Sequence, residues 1–269
     1  MRRSRIVSCA SAFLVAVAAS AFTGPATAPA APSGTALDYV ALGDSYSAGV
    51  GAGDYVTSDA ACFRSSRAYP VLWAATHASS FSFTACNGAR TTDVLAEQLG
   101  PLDARTDLVS ISVGGSDSGY GRVMATCVLP GTSACLSAVT RARSYMDGVL
   151  PANLDRLYSA IRAKAPGAHV VVLGYPHFYQ VQGTCQGGLH SEERSALNAA
   201  VDHLNGVIAG RATAHGFTFA DVRTVFTGHE ICSSSPWLRS VEWLNLTESY
   251  HPTASGQALG YLPLLTSAA

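Results

Sequence analysis

The chain has 269 residues, of which 48% are hydrophobic and 13% charged, against about 25% charged in an average globular domain. Its 17 Lys plus Arg and 18 Asp plus Glu leave a formal net charge of −1, which excludes a disordered protein, a basic nucleic-acid binder and a coiled coil. The length suits one large domain, because single cores grow to roughly 250 residues before chains split.

The first segment reads Met-Arg-Arg-Ser-Arg, then an apolar run from Ile6 to Phe22, then Ala-x-Ala patterns around Ala26 to Ala31. Basic start, short apolar run and small residues are the pattern of a secretory signal peptide, so residues 1–30 are expected to be a leader and residues 31–269 a single exported domain. A stable membrane anchor is not expected, since Ser8, Ser11 and Ser20 interrupt a run already short of about 20 apolar residues. Removing Arg2, Arg3 and Arg5 with no acid takes the charge from −1 to −4, and a mildly acidic exported protein has no electrostatic reason to seek nucleic acid.

Beyond the leader, which contains Cys9, stand Cys62, Cys86, Cys127, Cys135, Cys185 and Cys232. An even number in an exported chain points to disulfides. The sequential pairing, Cys62 with Cys86, Cys127 with Cys135 and Cys185 with Cys232, closes three separate excursions between core elements. No C-x-x-C pair supports a zinc site.

Three apolar runs, Leu37 to Gly43, Asp107 to Gly115 and Ala168 to Gly174, read as strands buried on both faces of a parallel sheet. Weaker strands are expected at Phe81 to Ala85 and Phe217 to Val222. Helix-period segments run from Arg67 to His77, Thr91 to Gln98, Ser137 to Lys164, Ser191 to His215 and Thr253 to Leu265, the fourth opening on Glu192 and Glu193 in its first turn. Gly49 to Arg67 and Gly119 to Cys135 read as loops. Alternating strands and helices predict an α/β fold, a three-layer α/β/α sandwich with a central parallel sheet.

Ser45 stands just past the first strand, in Gly43-Asp44-Ser45-Tyr46-Ser47, where open α/β sheets hold their sites. A hydroxyl needs a general base to attack a carbonyl, and Glu248-Ser249-Tyr250-His251-Pro252 near the C-terminus offers a histidine preceded by an acid. His229-Glu230 begins like a zincin motif but has Ser233 where the second histidine belongs, so no metal is expected. Asn245-Leu246-Thr247 matches a glycosylation sequon.

With these residues in view the sequence resembles the GDSL, or SGNH, hydrolase family, in particular its secreted bacterial lipases and esterases. The likeness rests on Ala41 to Gly49, Cys86-Asn87-Gly88-Ala89, Ser112 to Asp117, Gly228 to Cys232 and Tyr250-His251-Pro252. It implies a flavodoxin-like fold, hydrolysis of a small-molecule or lipid ester through an acyl-enzyme, no cofactor and a monomer. By the same resemblance Ser45 is the nucleophile and His251 its base, while the N–H groups of Ser45 and Gly88 face the oxyanion.

Two positions leave the family pattern. Ser116 replaces the asparagine that supplies a third oxyanion donor, which implies a slower enzyme. Glu248 stands where most members have aspartate, and it is expected to orient His251, with the Ser249 carbonyl as its rival. The alternatives are a carbohydrate acetylesterase and a secreted binding protein that has kept the scaffold while the Ser116 position decayed.

Overall fold

Continuous apolar runs are stable as strands only where both faces are covered, and the strands obey this. In the computed structural model, which describes residues 37–129, 131–183, 185 and 188–269, β1 (Leu37–Gly43), β3 (Leu108–Ser112) and β4 (His169–Leu173) hold five wholly buried positions or nearly so. They are joined by β2 (Ala78–Phe83) and β5 (Thr218–Ala220) in one parallel sheet of order β2-β1-β3-β4-β5. The expected leader lies outside the described residues.

The chain steps one way from β1 to β2 and the other way through β3, β4 and β5. Right-handed crossovers then place helices on both faces. α2 (Tyr69–His77) packs with α8 (Leu262–Ala268), and α5 (Thr132–Gly148), α6 (Leu150–Lys164) and α7 (Ser191–Ala214) pack with one another. This is the expected α/β architecture. Leu150, Leu154, Leu157, Tyr158 and Ile161 of α6 are fully buried, one apolar stripe at helical spacing.

Two expectations are corrected. The segment Ser137 to Lys164 is two helices, ending and restarting around Val149. Gly148 weakens the helix there, and Pro151, which has no N–H to donate, is accepted only in a helix's first turn. Gly119 to Cys135 is not a loop: it carries α4 (Tyr120–Val128), whose Met124 and Cys127 are buried.

Gly43 ends β1 opposite Ser112 of β3. With φ of +125° and only 2.4 Å from the site of its Cβ to the Ser112 carbonyl oxygen, it admits no side chain. The close approach brings the carboxyl ends of β1 and β3 together at the point where the strand order reverses, the place where such sheets hold ligands.

Cys62–Cys86, Cys127–Cys135 and Cys185–Cys232 are bonded, at sequence separations of 24, 8 and 47. The sequential pairing is therefore the one formed. Each such closure restricts the unfolded chain and stabilises by about 2–4 kcal/mol. Alkylation of folded, unreduced protein should find no free thiol among the six, and peptide mapping should recover these pairs. Two or more alkylatable cysteines would contradict the arrangement.

Candidate active site

The turn after β1 leads directly into a four-residue helix, α1 (Ser45–Ala48), whose N-cap is Asp44. An N-cap carboxylate satisfies an orphan helix donor, here the Tyr46 N–H at 3.0 Å. The same carboxylate takes two further bonds, from the Ser112 hydroxyl at 2.8 Å and the Tyr175 hydroxyl at 2.5 Å. Burial pushes its carboxyl up to about 6, against the lowering effect of these three donors. At neutral pH it remains mostly ionised.

Ser45 follows, 7% exposed, and its Oγ lies 2.7 Å from Nε2 of His251, 206 residues later in the chain. Burial pushes the His251 imidazole down to about 4, opposed by the main-chain carbonyls of Ser249, Glu248 and Thr247. The ring is neutral at physiological pH, and Nε2 is free to take a proton from the serine. Its Nδ1 is buried and makes no formed hydrogen bond, yet those carbonyls are the acceptors nearest to hand for its N–H.

Glu248 does not provide that partner, which corrects the expectation drawn from its spacing. Its Oε1 accepts from the Tyr55 hydroxyl at 2.8 Å and its Oε2 lies 3.1 Å from Nε of Arg239. Glu248 ends a short 3-10 turn, Leu246–Glu248, and that turn aims its carboxylate toward the loop after α1. There Arg239 also donates to the Gly51 carbonyl at 2.6 Å. The acid thus ties two loops together.

Sequence reasoning missed the groups that hold the histidine loop. Tyr250 has a left-handed φ of +65°, a strained conformation for a bulky residue. Its carbonyl accepts from the hydroxyls of Tyr46 at 2.8 Å and Tyr120 at 3.2 Å, and its own hydroxyl accepts from Tyr179 at 3.0 Å. Tyr46 is next to Ser45 and Tyr250 next to His251, so one side chain links the two halves of the pair. Only its place beside Ser45 could have flagged it.

Gly88 follows β2, in the turn after Cys86, with φ of +76°. A Cβ there would meet nothing within 4 Å, so the glycine is required by its left-handed backbone rather than by crowding. Among the described residues the N–H groups of Ser45 and Gly88 donate to no turn, loop or cap acceptor. Ser116, just past β3, is partly exposed and its hydroxyl makes no hydrogen bond among these residues. Ser45, Gly88, Ser116 and His251 line one cleft of about 450 Å³. Three adjacent strands, β2, β1 and β3, thus deliver one element each to one opening, and the C-terminal loop delivers the histidine.

Among the described residues no group of three or more His, Cys, Asp or Glu is placed to hold a metal ion, and no helix is long and apolar enough to cross a membrane. Glu230 of the His229-Glu230 pair accepts from the Gly228 N–H at 2.8 Å, and His229 stacks on Trp237 at 3.6 Å.

The sequence profile of the GDSL-like lipase/acylhydrolase family matches residues 41–259. The chain is 60% identical to Lipase 1 of Streptomyces coelicolor over 270 residues and 55% identical to a lipase of Streptomyces rimosus over 269, covering 100% of each pair of chains. The crystal structure of the extracellular lipase from Streptomyces rimosus matches with a TM-score of 0.85 at 57% identity, covering 87% of this chain and 100% of that one. The structure of phospholipase A1 from Streptomyces albidoflavus does so with a TM-score of 0.85 at 54% identity and the same coverage. With Ser45, Gly88, Ser116 and His251 all inside the matched range, the chain belongs to the GDSL-like lipase/acylhydrolase family.

Proposed function

We propose that this carboxylic ester hydrolase works through a Ser45–His251 pair on lipid esters outside the cell. The observation that carries the reading is the 2.7 Å contact between Ser45 Oγ and a buried, neutral His251 Nε2. A binding protein on a decayed scaffold has no need of that contact.

In the first step Oγ attacks the ester carbonyl carbon while Nε2 takes the hydroxyl proton. The tetrahedral oxyanion is held by the N–H groups of Ser45 and Gly88. The C–O bond to the alcohol then breaks, and His251 returns the proton to the leaving oxygen. Water repeats the sequence on the acyl-enzyme, releasing the acid and free Ser45. As the ring becomes cationic, its Nδ1–H settles on the Ser249 carbonyl, which replaces the carboxylate of a Ser-His-Asp triad.

A lipid substrate is supported by the rim of the cleft. Leu129, Trp243 and Leu246 line it and are exposed, with the fully exposed Leu244 beside them. A contiguous apolar rim on a soluble surface marks an interaction site, and here it surrounds the nucleophile. Behind Ser45 lies a narrower apolar slot of about 50 Å³, walled by Met124, Val139, Met146, Phe178 and Leu204. An acyl chain fits the open cleft without repacking the core. Export is supported by the leader read over residues 1–30 and by the three disulfides.

Ser45→Ala and His251→Ala should each abolish turnover of p-nitrophenyl butyrate while leaving the fold intact. The double variant should be little worse than either, because the pair acts as a unit. Converting an orienting acid to its amide costs about 10⁴ in kcat. Glu248→Gln should cost less than about tenfold, since Glu248 holds Tyr55 and Arg239 rather than the imidazole. A loss near 10⁴ would restore the acid to the catalytic unit.

The second expectation concerns the third oxyanion donor. Ser116→Asn should raise kcat by about tenfold or more with little change in KM, because such a donor acts mainly in the transition state. A folded variant with unaltered kcat would mean that the hole is complete without this side chain.

A further inference from the structure

Asn87 is the one carboxamide among the described residues that line the cleft over Ser45. Its backbone is tied down on both sides. The Cys86 N–H donates at 3.0 Å to the carbonyl of Gly43, which stands two residues before Ser45, and the Asn87 N–H donates to the Cys62 carbonyl at 3.0 Å. The Cys62–Cys86 disulfide closes the same junction. Gly43 is itself clamped by the Gln98 side chain, through its N–H at 2.7 Å and its carbonyl at 2.9 Å. Asn87 is therefore held against the end of the strand that delivers Ser45.

The fold makes no use of the side chain held in this way. The Ala89 N–H closes a turn on the Cys86 carbonyl at 3.2 Å, with left-handed Gly88 as its third residue. This is the type II pattern, which needs glycine in third place and favours proline, not asparagine, in second. An asparagine that shapes a turn bonds its side chain to the backbone two residues on. The Asn87 carboxamide makes no hydrogen bond among the described residues. Half-buried in the cleft wall, it keeps both its N–H donors for the cleft's occupant.

We infer that the Asn87 carboxamide donates to the ester oxyanion beside the N–H groups of Ser45 and Gly88, taking over part of the task that the family pattern gives to an asparagine at position 116. This rests on the ester-hydrolase reading above and adds a catalytic residue to it. Ser116 offers one hydroxyl on a short side chain. Asn87 adjoins Gly88, whose N–H faces the oxyanion in that reading, and its carboxamide reaches further than a hydroxyl. The donor then comes from the turn after β2 rather than from the end of β3. A full side-chain donor is worth about 10²–10³ in kcat. Water competes for a half-exposed amide, so the share of Asn87 is about tenfold, which leaves room for the gain expected of Ser116→Asn.

Asn87→Ala should lower kcat on p-nitrophenyl butyrate by about tenfold, with KM changed by less than about twofold. Asn87→Asp keeps the shape of the side chain, yet at about pH 8 it should lose more than the alanine variant, because a carboxylate donates nothing and repels the oxyanion. A role in shaping the turn predicts the reverse order, with aspartate the milder change. In the Ser116→Asn background the cost of Asn87→Ala should shrink to about threefold or less, since both carboxamides serve one oxygen. Unchanged kcat in Asn87→Ala, a loss carried by KM alone, an aspartate variant milder than the alanine variant, or an undiminished cost in the Ser116→Asn background would each overturn the proposal. Wild-type protein that turns over no ester would instead refute the ester-hydrolase reading.

Discussion

A buried carboxylate one residue before Ser45 holds the site together. Asp44 is 1% exposed, and an ionised group so placed is costly unless fully hydrogen-bonded. Its three donors come from α1, from β3 and from the loop after β4. The Tyr175 hydroxyl that donates to Asp44 also accepts from the Gly115 N–H at 3.1 Å, so the segment leading to Ser116 is positioned by the same group. Asn205 of α7 in turn clamps Tyr175 through both its backbone N–H and its carbonyl. Charge, strand ends and helix layer are coupled through one oxygen pair.

The histidine side is held by neutral hydroxyls instead. Tyr46, Tyr120 and Tyr179 converge on Tyr250, whose strained backbone precedes His251. No ionised carboxylate touches the imidazole among the described residues, and burial is left to set its protonation. The arrangement keeps the base neutral over a wide pH range. In the proposed mechanism the developing imidazolium is stabilised by carbonyl dipoles, which is a weaker aid than a full charge.

Much of this was legible in the sequence. β1, β3 and β4 announce themselves because strands buried on both faces carry no polar alternation. Ser45 and His251, whose side chains meet at 2.7 Å, stand out in the sequence because the proposed attack by a hydroxyl needs those residue types beside particular turns. Glu248 was misread because spacing along the chain does not say where a 3-10 turn aims a side chain, and its partner Tyr55 is 193 residues away. The break between α5 and α6 was hidden because the apolar stripe continues across Gly148 and Leu150. α4 could have been found from Val123, Met124, Cys127 and Val128, which fall at helical spacing. Nothing in the chain order foretold that Arg90, in the connection from β2 to β3, would share a cleft with Arg122 and Arg141, both in the connection from β3 to β4.

The central claim is that a buried neutral His251 activates Ser45, and covalent labelling with a fluorophosphonate tests it most directly because the reaction requires an activated serine and presupposes no substrate. The account predicts a single adduct, on Ser45, whose rate of formation holds as the pH is lowered to about 5 and falls as His251 protonates near 4. No adduct at Ser45 in folded protein, or labelling of Ser45 that persists undiminished in His251→Ala, would contradict it.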